Sequence, residues 1–591
     1  MFAGLCFALL APMSAFADVE INEKNFPDEY FREYLLAQDY GQDGVITDEE
    51  IAGITDLRLS TLYAHKYSSY ITNLEGIKFF TSLTTLNCGR CPLTSLDVSG
   101  MTALTELSCR GGSAAIASND HCELTSLNVT GCTALKTLRC DNSYYNKDSG
   151  VNKLTELDLS TCTALTYLDC RGNKLTKLDV SGCTKLDSIF CNNNELTSLD
   201  VSKCAELKKL YCYSNQLTDL DASNCIALTT LYCYGNQLTD LDASNCTALT
   251  TLYCYDNQLT DLDVSNCTEL NYLNCLGNQL TNLDVSNCTA LTTLYCNYNQ
   301  LTNLDASNCT ALTTLYCNDN QLTDLDVSNC TELNYLDCLW NQLTNLDVSN
   351  CTALTTLYCN SNQLTDLDVS KCTALTTLYC GYNQLTDLDV SKCTALTDLS
   401  CSSNQLINLD MSNCTALTNL DCYWNQLTDL DVSNCTALTY LSCYRNQLTG
   451  LDVSKCTALT TLYCYRNQLG GEKMDNFINT LPNNEGNVYL YDSTNEMEGN
   501  VCTKEQIAAI YEKGWTPYYL AYEDMGDGWY TSNWIAYEND NNPNGINSVE
   551  VGNGSEIGAN APAYDLNGNR VEDWQNRKGI YIIGGKKVVV K

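Results

Sequence analysis

The sequence predicts a repeat solenoid, mainly β, closed by a small helical cap before it and an α/β cap after it. Three observations predict it. The chain matches itself at an offset of 21 residues over most of its length, and a fixed period of this size marks stacked repeats, not separate globular domains. Each copy carries the alternation Leu-x-x-Leu-x-Cys, as in Leu249–Cys254, which is the two-residue period of a short strand. The rest of the copy, Leu-Thr-x-Leu-Asp-Val-Ser, is too short for a helix and reads as a second short strand on the opposite wall. Neither strand can bury its apolar side alone, so stability has to come from stacking coil on coil.

Composition narrows the function classes. The chain has 591 residues, 71 acidic against 32 basic, a net charge of −39, 38 Cys, 38 Tyr and 2 His. So acidic a balance argues against nucleic acid, which needs a basic footprint. Two histidines leave little room for imidazole catalysis or a histidine metal site. There is no G-x-S-x-G, no H-E-x-x-H and no phosphate loop, so no enzyme is expected. No segment after the start reaches about 18 apolar residues, so no membrane span is expected either.

The segments follow in order. Residues 1–17, MFAGLCFALLAPMSAFA, form an apolar run ending small-x-small, the pattern of a signal peptide cleaved before Asp18. Residues 18–53 form the N-terminal cap, with helical spacing at Phe31, Tyr34 and Leu35. Its loop DYGQDGVITDEE resembles an EF-hand. Asp39, Asp43, Thr47 and Glu50 fall on loop positions 1, 5, 9 and 12, and Gly44 on position 6, while Gly41 stands where a third ligand belongs. These four are the candidate calcium ligands, the alternative being a degenerate turn that only caps the first coil, and no cofactor is otherwise required. The array fills 54–469, an α/β cap 470–522, an Asn-, Gly- and Pro-rich linker 523–562, and a tail 563–591 with strands expected at Gly579–Ile583 and Lys587–Val590.

The general copy is LxxLxCxxNxLTxLDVSxCxx. Copies start at Leu83, Leu104, Leu135 and Leu165 and then every 21 residues to Leu459, eighteen in all. This resembles the leucine-rich-repeat pattern with Cys in the third apolar slot, and Ile71–Phe80 (ITNLEGIKFF) is similar to the opening of internalin-like arrays. The resemblance implies a rod with a parallel concave sheet. The tail resembles the C-terminal sorting domains of type IX secretion cargo in Bacteroidetes, through Tyr564-Asp565-Leu566-Asn567-Gly568, Lys578-Gly579-Ile580-Tyr581 and Gly585-Lys586-Lys587. That likeness implies export by that secretion machinery, and a secreted or outer-surface location.

Numbering each copy from its first Leu, Cys holds position 6 in every copy and position 19 in sixteen. The Asn at position 9 is placed to bond loop backbone as a ladder. Most cysteines therefore read as small buried core groups, with a disulfide series as the rival that export would permit. The CxxC at Cys88–Cys91 is then a coincidence of register.

Exposed aromatics on a rigid sheet make a recognition surface. The candidate ligand-binding residues are Tyr211, Tyr232, Tyr253, Tyr295, Tyr316, Tyr358 and Tyr379 at position 5, Tyr213, Tyr234 and Tyr255 at position 7, and Trp340 and Trp424 at position 8. The competing explanation is that the rings only stabilise the sheet by stacking. Asp recurs at position 15, and often at 13, as in Asp219 and Asp221. Its ordinary roles are to bond local backbone and keep the chain soluble. Insertions at Gly111–His121 and Asp141–Lys153, carrying His121, Tyr144 and Tyr145, fall just after the concave strand and either join the binding face or are loops tolerated without a role. The expected function is a secreted, surface-held protein that binds an extracellular or host protein, as an adhesin does. Glycan capture for nutrient uptake and a plain surface spacer are the alternatives.

Overall fold

The structure is a computed structural model. It describes residues 18–59, 67, 69–89, 91–111, 123–142, 152–496, 498–524, 530–537, 563–564, 570–571, 579–583 and 586–590. The expected signal peptide, most of both insertions with His121, Tyr144 and Tyr145, most of the expected linker, and Asp565–Gly568, Lys578 and Gly585 of the tail pattern lie outside these residues. The chain divides into two compact units, Met1–Leu301 and Thr302–Lys591.

The first unit opens with strand Val19–Glu20 paired antiparallel to Val45–Ile46. Helix Glu29–Leu36 starts at Asp28, whose carboxylate accepts from Phe31 N, and buries Phe31, Tyr34 and Leu35. The other Asp28 oxygen accepts from Thr72 N and Asn73 N at 2.9 and 3.2 Å, tying the helix to the first coil. A parallel ladder follows, from Asp56–Arg58 through Thr85–Asn87, Glu106–Ser108, Thr137–Arg139 and Tyr167–Asp169 to Thr293–Tyr295. Every pairing joins equivalent residues of successive coils, as with Leu231, Leu252 and Leu273.

One coil shows why the copy folds this way. Leu249, Leu252, Cys254, Leu259, Leu262, Val264 and Cys267 are all buried, so both walls turn their apolar side to one core. The turn between the walls is held by Asn257. Its amide donates to Cys233 O and Cys254 O at 3.1 and 3.0 Å, and its carbonyl accepts from Leu238 N at 3.1 Å. One side chain thus satisfies three backbone groups on two coils. The position-2 threonines add a second link: Thr250 Oγ1 donates to Thr229 O at 3.0 Å.

In the second unit the ladder runs from Thr314–Tyr316 through Tyr335–Asp337, Thr356–Tyr358, Thr377–Tyr379, Asp398–Ser400, Asn419–Asp421 and Tyr440–Ser442 to Thr461–Tyr463. It does not stop where the repeat stops. Gly486–Asp492 and Trp515–Asp524 add to it in parallel, and Tyr530–Ala536 closes it antiparallel. Helices Glu472–Thr480 and Lys504–Glu512 make the return crossings. The cap therefore reaches past the expected boundary at 522: the alternating run Tyr530–Ala536 pairs with Trp515–Asp524 instead of serving as linker. Asn500 completes the asparagine ladder, donating to Cys464 O and Leu490 O and accepting from Leu469 N. In the tail, Gly579–Ile583 and Lys586–Val590 pair as expected, within a four-stranded antiparallel sheet that also holds Ala563–Tyr564 and Arg570–Val571.

The second strand of each coil is weaker than expected. Among the described residues it forms paired strands at Ser95–Asp97 with Ser126–Asn128, Asn303–Asp305 with Asp324–Asp326, and Asp387–Asp389 with Asn408–Asp410. Elsewhere there are single bridges such as Asp242 with Asp263, or none. Each full pair sets Ser or Asn at position 13 on one side. The neighbours Asp219 with Asp240 and Asp366 with Asp387 form no such pair, although like charges at position 15 face each other in two of the full pairs, Asp305 with Asp326 and Asp389 with Asp410. No helix among the described residues is long and apolar enough to cross a membrane.

Candidate binding face

Positions 3 and 5 flank the buried position-4 residue of each strand, so their side chains leave the sheet on the side away from the core. In-register stacking then brings the rings of successive coils together. In the first unit Tyr211 stacks on Tyr232 with centroids 4.3 Å apart, Tyr232 meets Tyr253 at 4.6 Å, and Tyr253 stacks on Tyr272 at 4.7 Å with Tyr295 next at 5.8 Å. A second row, Tyr213, Tyr234 and Tyr255, stacks at 4.4 and 4.3 Å with planes within 9°. In the second unit the row is Tyr316, Tyr335, Tyr358 and Tyr379, at 4.6, 5.8 and 5.0 Å. Burial among neighbouring rings pushes the Tyr232 phenol up to about 12, so it stays neutral, with its hydroxyl able to donate as well as accept.

The predicted tyrosines therefore come together as two kinds of row, at positions 5 and 7. Members that sequence reasoning missed are Tyr272, Tyr335 and Tyr440 at position 3, and Tyr489, Tyr518 and Trp534 from the cap. Tyr489 stacks on Tyr463 at 4.0 Å, and Trp534 meets Tyr465 and Tyr489 edge-on at 5.1 and 4.9 Å. Position 3 shares strand parity with position 5, and that signal was present in the sequence. Trp340 and Trp424 lie outside both rows, on the position-8 turn, where they are 62% and 54% exposed. Tyr298 and Tyr382 occupy the same turn, 57% and 53% exposed, and an offset of 42 residues, not 21, would have found them.

The position-5 row breaks at Ser400 and Asp421. There Tyr379, Asp398, Ser400, Asn419, Asp421 and Tyr440 line a hollow of about 410 Å³. Asn419 Nδ2 donates to Asp398 Oδ1 at 2.6 Å, and burial pushes the Asp421 carboxyl up to about 6.

The four candidate calcium residues are locally engaged. Thr47 caps helix Asp48–Gly53, and its N and Oγ1 both donate to Glu50 Oε2, at 2.9 and 2.8 Å. Asp43 Oδ1 accepts from Val45 N at 3.0 Å, and Asp39 Oδ1 from Gln42 Nε2 at 3.4 Å. Gly41 packs so closely that a Cβ there would lie 2.1 Å from Leu35 O, so the missing third ligand cannot be supplied by substitution. No metal-holding group of three or more His, Cys, Asp or Glu side chains occurs among the described residues.

The described cysteines stand as buried thiols, Cys502 being half-buried. Position-19 sulfhydryls reach backbone oxygens of the preceding coil, as Cys246 Sγ to Ala222 O at 3.5 Å and Cys456 Sγ to Val432 O at 3.5 Å. Burial pushes the Cys254 thiol well above its usual value, which removes the thiolate that redox or metal chemistry would need. On the opposite wall, Asp221 Oδ1 accepts from Ser223 N and Oγ at 2.9 and 2.6 Å. The same backbone bond recurs at Asp263, Asp347 and Asp431.

Residues 205–246, 247–287, 289–330 and 352–393 match the family model described as leucine rich repeats (2 copies). No curated protein matches the sequence. Among solved structures, the chain is similar to the functional domain of InlJ from Listeria monocytogenes, which includes a cysteine ladder, with 28% identity over 81% of this chain and 83% of that one and a TM-score of 0.43. It is also similar to the plant peptide hormone receptor RGFR1 in complex with RGF2, at 22% identity over 74% and 75% of the two chains with a TM-score of 0.54. A TDR receptor gives 19% identity over 75% and 85% with a TM-score of 0.55. The last two are likenesses of fold.

Proposed function

We propose that this chain, a leucine-rich-repeat solenoid, is a non-catalytic binding scaffold that is exported, held at the outer cell surface, and docks an extracellular or host protein on its Tyr-rich strand face. The observation that carries the reading is the row Tyr211, Tyr232, Tyr253, Tyr272 and Tyr295, rings in contact from coil to coil on the side away from the core. Such a row offers wide, stiff, amphipathic area with little rotamer entropy to lose on binding. A fold hosts many functions, so the reading rests on the face and not on the fold. Residues 1–17 support export, and the tail's likeness to sorting domains supports the surface location.

The test is a Tyr211→Ala/Tyr232→Ala/Tyr253→Ala variant of the full chain. It is expected to keep its far-ultraviolet dichroism and to lose attachment to surfaces coated with extracellular-matrix protein. Glycan capture is the second reading, favoured by the hollow at Asp398–Asp421, where carboxylates and an amide sit between two tyrosines. Loss of glycan-array binding with unchanged protein attachment would select it, and no change in either would leave a spacer. Calcium at Asp39–Glu50 would require Glu50 to exchange Thr47 for the ion. The melting temperature in calcium against chelator reads this directly, and a cap held by Thr47 and Glu50 predicts no difference.

A further inference from the structure

The turn at position 8 holds one backbone conformation in the regular copies from Leu186 onward. From Asn193 to Arg466 its φ lies between 52 and 66°, the left-handed region. Glycine, asparagine and aspartate adopt it readily, while a bulky side chain is strained there. Gly235, Asp256, Gly277 and Asp319 follow that preference. Trp340, Tyr382 and Trp424 do not, with φ of 54, 54 and 55°. Their backbone is locked by the next coil, Trp340 N to Asn360 O at 3.1 Å, Tyr382 N to Ser402 O and Trp424 N to Tyr444 O at 2.9 Å. Contacts compensate only in part: Tyr382 Oη shares a hydrogen bond with Tyr423 Oη at 3.1 Å and Arg445 lies over one side of Trp424, yet more than half of each of the three residues is exposed. Strain that packing returns only in part points to function.

The spacing says which function. Trp340, Tyr382 and Trp424 stand 42 residues apart, two coils each time, which is about 9.6 Å at the separation of neighbouring strands. Between them are the short side chains of Ser361 and Ser403. Isolated platforms at a fixed interval suit a ligand that shows the same flat group at that interval, not the contiguous buried centre of a globular interface. A single-stranded nucleic acid would stack on such platforms, but a chain of net charge −39 repels its phosphates. A β-strand repeats a face every two residues, about 6.6 Å, and falls out of step. A polyproline II helix makes one turn in three residues and advances about 9.3 Å, within a few tenths of an ångström of two coils.

Proline-bearing helices of this kind dock on Tyr and Trp rings and are stiff before they bind. The acidic chain would favour Lys or Arg at the intervening positions. The ridge already stacks one cation, Arg445, whose guanidinium carbon lies 4.8 Å from the Trp424 ring centre. We propose that the Trp340–Tyr382–Trp424 ridge binds a basic polyproline II segment of a protein partner, one proline to each ring at every third residue. This rests on the protein-binding reading and specifies the chemistry of the partner.

The test uses the full chain and a fluorescein-labelled peptide of Pro-Lys-Ala repeats, read by anisotropy. Saturable binding is expected. Trp340→Gly, Tyr382→Gly and Trp424→Gly should each weaken it about tenfold, and the triple variant should abolish it. Glycine already occupies the turn at Gly235 and Gly277, so these variants keep the fold, and Trp340→Phe should retain most of the binding. A peptide of the same composition with prolines at irregular spacing should bind about tenfold less well. Equal binding of the two peptides, or of parent and triple variant, would overturn the proposal as mere charge attraction. So would ridge variants that lose a neutral oligosaccharide instead of the peptide. If the triple variant keeps full attachment to protein-coated surfaces while the Tyr211/Tyr232/Tyr253 variant loses it, the ridge proposal falls and the protein-binding reading stands.

Discussion

At the residue scale, Asn257 shows how much one polar side chain can hold. It satisfies two carbonyls and one N–H while buried. Asn257→Ala strands those backbone groups away from water, and the expected loss is about 2 to 3 kcal/mol, read as a lower denaturant midpoint at unchanged m-value. Trp340→Gly is expected to behave in the opposite way. It relieves about 1 kcal/mol or more of left-handed strain and loses a part of that to glycine's extra chain entropy, so stability should hold or rise slightly. Thiol chemistry gives a third residue-scale expectation. Buried sulfhydryls such as Cys212, Cys254 and Cys422, all pushed well above the usual thiol range, should be silent to a thiol reagent at pH 8 in the native chain and react fully in guanidinium. Native reactivity would mean that the coils open.

At the element scale, the unit of construction is the coil and not the strand. A three-residue strand such as Thr251–Tyr253 is far too short to stand alone, and its partners are the same three residues of the coils before and after. Removal of residues 249–269, one full period, should therefore leave every ladder in register and the chain cooperatively folded, whereas removal of 249–268 shifts the strand parity and should not. Circular dichroism and a single unfolding transition distinguish the two. The strand positions were legible in the sequence because the period is regular and the core slots are nearly invariant. The turn was not. Position 8 holds Asn, Tyr, Trp, Ser, Asp, Gly or Arg, and from Asn193 onward only a backbone angle unites them. Asn500 was also hidden, because it completes the asparagine ladder 33 residues after Asn467, off the 21-residue beat. Tyr530–Ala536 was hidden by the Asn-, Gly- and Pro-rich stretch that follows it.

For the whole molecule, charge sets the response to pH. Burial pushes the carboxyls of Asp337 and Asp421 up to about 6 and that of Glu498 up to about 7. Groups raised in this way favour the folded chain most below the unfolded carboxylate range, and that contribution is lost as pH rises through 6 to 7. The position-15 carboxylates act with the opposite sign. The hydroxyl and backbone N–H of the serine two residues on hold Asp284, Asp347 and Asp368 below their usual value, so their support is present above that range and lost as pH falls through it. The two together predict a melting temperature that peaks between about pH 4 and 6 and declines on both sides. Calorimetry from pH 3 to 8 checks the shape, and Asp337→Asn/Asp421→Asn/Glu498→Gln should flatten the alkaline arm.

The stacked phenols also have an optical consequence. Tyr423, Tyr444 and Tyr465 lie ring on ring at 4.5 and 4.3 Å, and the row ends against the indole of Trp534. Light absorbed anywhere along that row should hop from ring to ring and drain to the tryptophan, so that exciting tyrosine yields tryptophan emission. Trp534→Phe should restore ultraviolet tyrosine emission from this part of the chain, and anything that settles on the rings would announce itself as a change in colour before any affinity was measured.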